Sequence, residues 1–133
     1  MKRLWIFLLL MSFLAACGGE KETATCEVKP TISVYNAAAE ETIFQEKSVC
    51  LKEGETVLDA LKATGLSIES SGNGDMAYVT AIEGVAEKSE GQASAWVYAL
   101  NGTPGDEGSG AKKVKSTDVI QWRFEKDAMA FFE

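Results

Sequence analysis

Side chains able to do chemistry are few in this 133-residue sequence, and none forms a recognisable catalytic group. The sequence has no histidine, so it lacks the usual acid–base catalyst and the commonest zinc ligand. Asp106 and Glu107 are adjacent carboxylates without a supporting acid nearby, which favours a solvated loop over a hydrolytic or calcium site. Ser94 and Thr80 have no base to activate their hydroxyls. We therefore expect a binding protein rather than an enzyme, with no cofactor and no metal site.

The glycine-rich stretch 102–110 (GTPGDEGSG) does not match a phosphate-binding loop. A Walker loop requires Lys followed by Ser or Thr after its last glycine, whereas Gly108 is followed by Ser109 and Gly110. Asn101-Gly102 instead indicates a tight turn at the end of a strand. The formal net charge of −7 also repels phosphate backbones. The sequence therefore excludes nucleotide loops of this type and disfavours nucleic-acid partners.

The amino terminus has the pattern of a secretory signal peptide over residues 1–16. Two basic residues precede an apolar run that is shorter than the roughly 20 residues needed to span a bilayer. The run ends in Leu14-Ala15-Ala16-Cys17, which resembles the lipobox of bacterial lipoproteins. This resemblance implies that Cys17 carries a lipid anchor, palmitate included, on the extracytoplasmic face of a bacterial cell membrane. The alternative is a plain cleaved signal in which Cys17 has no lipid.

The mature chain is expected to consist of a lipidated Cys and flexible tether over residues 17–25, followed by one domain over 26–133. Cys26 and Cys50 are an even pair in an exported chain, which predicts a disulfide. Closing a loop of that size stabilises a fold by roughly 3 kcal/mol in the chain-entropy model. A metal or redox pair is the less favoured alternative, because the spacing is wide and histidine is absent.

The elements that must position any site follow from hydrophobic periodicity. Thr56 and Asp59 have the spacing of a capping box, and Gly65 supplies a stop, so the sequence predicts a helix over 56–64. A hairpin, one crossover helix and then further strands make an α+β order. We expect a β-grasp-like fold, a mixed sheet of two hairpin-type ribbons wrapped over one helix, with a small barrel as the competitor. The predicted strands are 29–36, 42–51, 66–70, 76–83, 94–100 and 118–125.

Five motifs occur in one order along the chain: 55–62 (ETVLDALK), 84–87 (GVAE), 95–98 (AWVY), 101–108 (NGTPGDEG) and 118–124 (DVIQWRF). In this order they resemble the carboxy-terminal β-domain of transcobalamin and intrinsic factor, and its relatives in bacterial lipoproteins. The resemblance implies a β-grasp domain of the soluble-ligand-binding kind. It also implies that cobalamin contacts lie at a glycine-containing turn and on a tryptophan strand, here Gly84, Val85, Trp96, Val97 and Tyr98.

The same residues have ordinary structural interpretations. Trp96 and Tyr98 share a face with Leu100, and the default for such a stripe is the core. Val97 is on the opposite face, which makes it the better ligand contact if the Trp96 face is core. Gly84 is explained simply as a turn residue at positive φ.

Two functions remain open from the sequence. The first is a membrane-anchored extracytoplasmic lipoprotein that binds a small ligand, cobalamin or a related corrinoid, for delivery to a membrane importer. The alternative is a surface protein–protein interaction module with no small-molecule ligand, which docks a partner by strand addition. The tail 127–133 (DAMAFFE) either extends the last strand or forms an apolar handle for a partner.

Overall fold

The computed structural model describes residues 26–133, so the expected signal peptide, lipidated Cys17 and tether lie outside the described residues. No helix within that range is both long and apolar enough to cross a membrane. Two short 3₁₀ turns, Gly74–Met76 and Ala130–Phe132, accompany the regular elements. The elements are β1 Thr31–Asn36, β2 Glu41–Ser48, α1 Val57–Lys62, β3 Ile68–Ser71, β4 Tyr78–Ile82, β5 Val85–Ala86, β6 Ala95–Leu100, β7 Thr103–Pro104 and β8 Val119–Glu125.

The strands form two sheets. A five-stranded mixed sheet has the order β2-β1-β8-β6-β7, with β1 and β8 parallel and the other pairs antiparallel. A three-stranded antiparallel sheet has the order β3-β4-β5. The α+β class is therefore confirmed, but the strands divide between two sheets instead of one. The reason is that β8 and β7 occupy both edges of β6, so no edge of β6 is left to pair with β4.

The helix follows its predicted capping signal. The Asp59 N–H donates to Thr56 Oγ1 at 3.3 Å, and the Thr56 N–H donates to Asp59 Oδ2 at 2.9 Å. This reciprocal pair satisfies donors that a helix start otherwise leaves unpaired. The helix ends at Lys62, earlier than predicted, because the N–H groups of Thr64 and Gly65 donate to carbonyls only three residues back, at 3.2 Å each, and Gly65 has a positive φ of 80°.

The main core lies on one face of the five-stranded sheet. Strands β1, β8 and β6 each supply alternate side chains to it, as period-two geometry requires. The buried face of α1 contributes Val57, Leu58, Ala60 and Leu61. The residues that these three strands supply are Ile32, Val34, Ile120, Trp122, Phe124, Trp96 and Tyr98, and β4 adds Val79 and Ile82.

A disulfide between Cys26 and Cys50 links the two chain segments at the end of the β1–β2 hairpin away from its turn. The predicted disulfide is therefore confirmed. Just beyond it, the backbones of Val28 and Leu51 exchange hydrogen bonds of 3.1 and 2.8 Å. The disulfide therefore joins the two chain segments where the hairpin would otherwise separate.

The carboxy-terminal tail does not extend β8. The β6–β8 ladder ends at Glu125, the Ala128 N–H then donates to the Ala93 carbonyl at 2.9 Å, and the 3₁₀ turn follows. Met129 and Phe132 remain largely exposed, at 71% and 49%. The alternative in which the tail continues the strand is therefore wrong, because a bend and a 3₁₀ turn follow Glu125.

Candidate ligand-binding cavity

A cavity of about 140 Å³ is bordered by β4, the core-facing side of β6 and β8, the loop 105–109 and the carboxy-terminal turn. Three of the five residues expected at a ligand site, Trp96, Val97 and Tyr98, border it. Tyr78 and Phe132 also border it, and both rings are about half exposed. The structure thus brings three of the expected residues to one apolar recess with aromatic rings at its edge.

The Trp96 side chain is held by one hydrogen bond and one aromatic ring contact. Its indole Nε1 donates to the Val85 carbonyl at 2.8 Å, and its ring lies 5.3 Å from the Phe124 ring between centroids. Val85 is in β5, so this hydrogen bond joins the three-stranded sheet to the five-stranded one. Val85 is therefore brought against Trp96, although it is not itself among the residues that border the cavity.

Gly84 is the turn residue between β4 and β5, with φ of 78°. A Cβ placed on it would meet no atom within 4 Å, so the glycine is required by the turn and not by a close neighbour. It is exposed and does not border the cavity. Of the five expected residues, Gly84 and Val85 are therefore the two that do not border the recess.

Tyr98 is held by the loop that follows β6. Its hydroxyl donates to the Glu107 carbonyl at 2.6 Å, and its ring lies 5.4 Å from the Trp122 ring. A Cβ on Gly105 would overlap the Tyr98 ring, so the loop can close over the ring only with glycine there. Burial raises the pKa of Tyr98 to about 12, and the Asp106 and Glu107 charges add to the rise. The phenol is therefore a neutral group in this wall.

Val97 points to the opposite face of β6 from Trp96 and Tyr98, as the alternation of a strand requires. It is paired with Arg123 of β8, and it is nearly inaccessible to solvent. Val97 therefore borders the cavity, but very little of its side chain is accessible to a ligand.

The acidic pair of the loop has a basic neighbour. Lys112 Nζ lies 3.3 Å from Asp106 Oδ1 and 4.0 Å from Glu107 Oε1, and both carboxylates are at the surface. Within residues 26–133, no group of three or more His, Cys, Asp or Glu side chains is arranged to hold a metal ion. The charges of this loop therefore set the potential beside the cavity without forming a metal centre.

The sequence did not single out Trp122, Tyr78 or Phe132 as site residues. Period-two alternation places Trp122 in the core, but its position opposite Tyr98 depends on the register of β6 with β8. Phe132 borders the cavity because the 3₁₀ turn at the end of the chain lies beside it. No local pattern reports these long-range placements, although the aromatic composition of 127–133 was a signal that this segment contacts something.

The fold and the cavity define a small α+β domain with a partly open recess that has aromatic rings at its edge. Residues 54–126 match the family described as Domain of unknown function (DUF4430), which spans more than half of the chain. The protein belongs to this family. No curated protein matches the sequence at a significant level.

The solved structures that are similar in fold include the following two. One is a protein from Ruminococcus gnavus ATCC 29149, described as a candidate metal-binding protein, with a TM-score of 0.59 and 11% identity. The match covers 74% of this chain and 97% of that one. The other is haptocorrin in complex with Cbi, with a TM-score of 0.58 and 20% identity. That match covers 75% of this chain but only 25% of haptocorrin, so this protein corresponds to one part of the longer molecule.

Proposed function

We propose that this protein is a membrane-anchored extracytoplasmic lipoprotein of β-grasp fold that captures cobalamin or a related corrinoid and delivers it to a membrane importer. It works by binding and catalyses no reaction. The observation that supports this most is the cavity, because it gathers Trp96, Val97 and Tyr98 beside two half-exposed aromatic rings. Haptocorrin, which shares the fold, has been crystallised with Cbi.

The size of the cavity decides how such a ligand binds. Its volume of about 140 Å³ corresponds to roughly five waters of liquid, far less than a macrocycle needs. A corrinoid therefore inserts one peripheral group and lies with its body across the rim. Tyr78 and Phe132 provide apolar contacts for that body. The sequence has no histidine, so recognition uses these contacts and not an imidazole bond to cobalt.

The proposed location rests on the amino-terminal pattern. A lipid on Cys17 anchors the chain, and residues 18–25 separate the anchor from the first described residue. The negative net charge keeps the domain away from anionic headgroups, so the cavity remains available to ligand and importer.

The test is calorimetric titration of the full-length protein in detergent micelles with cobalamin and with cobinamide. We expect saturable binding that Tyr78→Ala and Phe132→Ala each weaken by about fivefold or more. Met76→Ala and Met129→Ala are matched controls, because both side chains are exposed and neither borders the cavity. Absence of binding, or equal losses in all four variants, would refute the proposal.

A surface protein–protein module is the second candidate, and one observation favours it. Strand β2 is an edge strand of eight residues whose outer side has no partner strand within residues 26–133. Such an edge accepts an extended segment through backbone hydrogen bonds. Ile43→Pro removes one backbone donor in β2, and abolished capture of a purified surface partner, with corrinoid binding absent, would support this alternative.

A further inference from the structure

Strand β2 is an open edge of the five-stranded sheet, separated from β6 and its recess by β1 and β8. It pairs with β1 on one side, and within residues 26–133 no strand pairs with its other side. Its sequence is ETIFQEKS, and most of its side chains are exposed. The unpaired backbone groups of such an edge form hydrogen bonds with another strand when a suitable one is available. The side chains of β2 then decide which strand is suitable.

The charges of β2 are complementary to those of a second β2 strand that runs antiparallel to it. Glu41 is three residues before Phe44, and Lys47 is three residues after it. When two copies pair with Phe44 opposite Phe44, Glu41 of each copy lies opposite Lys47 of the other. In the part of the chain that the structure describes, neither charge has an ion-pair partner. Unlike charges opposite each other on two strands stabilise the pairing, and like charges destabilise it.

The neighbouring registers lack this complementarity. A shift by one residue in one direction places Glu41 opposite Glu46, so like charges face each other. A shift in the other direction places Glu41 opposite Ser48, and no acidic residue lies opposite Lys47. The net charge of −7 already opposes the association of two copies. The register centred on Phe44 is therefore favoured over its neighbours, because it pairs unlike charges.

The backbone of β2 is also symmetric about Phe44. The β1–β2 ladder has two register shifts, one on each side of the pair Val34–Phe44. Between Phe44 and Lys47, β2 advances three residues while β1 advances two. Between Phe44 and Thr42, β2 advances two residues while β1 advances one. Each side of Phe44 thus contains one extra residue, as in a β-bulge, so in a pairing centred there an irregular segment faces another of equal length.

We propose that two copies of this chain form a dimer by antiparallel pairing of their β2 strands, with the two-fold axis at Phe44. The two five-stranded sheets then become one continuous sheet, and both copies use the same segment, as in most protein dimers. The dimer goes beyond the proposed function and does not depend on it. Because β1 and β8 lie between β2 and β6, pairing through β2 leaves the recess of each protomer open.

Disulfide cross-linking tests the register in the full-length protein in detergent micelles, with micelles in large excess over chains. Glu41→Cys and Lys47→Cys each replace an exposed side chain. We expect mild oxidation to cross-link a mixture of the two variants, because directly opposite Cα atoms lie about 4.5–5.5 Å apart, within disulfide range. Neither variant alone should form a bond between its new cysteines, which lie about 20 Å apart in the dimer. Peptide mass spectrometry identifies the 41–47 bond.

Charge reversal separates the effect of the register from that of the net charge. Glu41→Lys makes the chain less negative and Lys47→Glu makes it more negative, yet both create like-charge pairs in the dimer. We expect each variant to raise the dimer dissociation constant about tenfold in sedimentation equilibrium. The double variant should return to within about twofold of the original value. Glu69→Lys is the matched control, because Glu69 is exposed in β3, and it should not raise the dissociation constant.

A full-length chain that remains monomeric at every concentration would refute the dimer and leave the β2 edge to a strand of another protein. A dimer that Glu41→Lys strengthens and Lys47→Glu weakens would respond to net charge, and the register would be wrong. A dimer that neither reversal affects would use a different surface. Corrinoid binding should be equal in all these variants, so its failure would count against the proposed function and leave the dimer standing.

Discussion

The two faces of the five-stranded sheet carry recesses of opposite character. The outer face has an open groove of about 620 Å³ bordered by polar side chains, among them Tyr35, Gln121 and Arg123. There the Arg123 guanidinium lies 5.2 Å from the centre of the Tyr35 ring, and its Nε donates to Glu125 Oε1 at 2.6 Å. The core-facing side has a cavity less than a quarter as large, with the rings of Tyr78 and Phe132 at its edge.

This contrast shows why volume alone is a poor guide to a binding site. The principal charged group of the groove is already stacked and paired within the protein, so a ligand gains little there that water does not already supply. The wall of the smaller recess is mainly apolar, with the rings of Tyr78 and Phe132 at its edge, so an apolar group of a ligand has an advantage over water there. The smaller recess is therefore the better candidate site.

The largest effect should come from removing the Cys26–Cys50 disulfide, which links the chain segments flanking the β1–β2 hairpin on the groove side of the molecule. Replacing Cys26 and Cys50 together by Ser should lower the free energy of unfolding by about 3 kcal/mol, since a loop of 24 residues is no longer closed. Hydrogen exchange should accelerate in β2 more than in β6. Equal acceleration in both strands would show that the groove side and the cavity side open as one unit.

The next effect should appear on the cavity side alone. Gly105→Ala places a Cβ against the Tyr98 ring and should cost about 1–3 kcal/mol by overpacking, with loss of ligand binding. Gly84→Ala is the control, because its Cβ meets no neighbour and its cost, about 1 kcal/mol, arises from the positive φ. Denaturant titration measures both. A Gly105→Ala protein with unchanged stability would mean that the loop does not press on the ring.

Alkaline pH should destabilise the cavity wall in a way that depends on Tyr98. Its pKa is raised in the folded protein to about 12 from 10.0, so between these values the unfolded chain releases the proton first. Stability contributed by the neutral phenol is thus complete below pH 10 and is lost as pH rises toward 12. Tyr98→Phe should give a flatter decline of stability over this range. If stability declined equally in the two proteins, the raised pKa of Tyr98 in the folded protein would be contradicted.

The smallest effect on stability should come from removing the charge of Arg123, which borders the groove. Arg123→Gln removes the pair with Glu125, which is partly solvated, and should change the free energy of unfolding by less than about 1 kcal/mol. Corrinoid binding should be unchanged in calorimetry. A large loss of binding in this variant would move the site from the cavity to the groove.

Local signals in the sequence predicted much of this fold. The capping box of α1, the strand alternation of β1 and β8, and the Cys26–Cys50 pair each depend on residues close in sequence or on cysteine count. The strands β5 and β7 were missed because two residues are too few to show alternation.

The sequence predicts only part of the candidate site, because the other part depends on contacts between residues that are distant in sequence. The stripe of Trp96 and Tyr98 is visible in one strand, and their core position was anticipated. Their meeting with Trp122 and Phe132 depends on strand register and on the path of the tail, which involve residues distant in sequence.

The parallel pairing of β1 with β8 has a consequence for how the chain acquires its shape. The first strand synthesised lies next to the last, and β8 is the middle strand of the five. Until Val119–Glu125 has been made, the β1–β2 hairpin and the β6–β7 hairpin have no ladder that connects them. The closing contacts span most of the domain, so assembly waits for the end of translation and is slow relative to that of a locally paired meander. A nascent chain stopped before Val119 exposes two unpaired strand edges and is a natural target for chaperones.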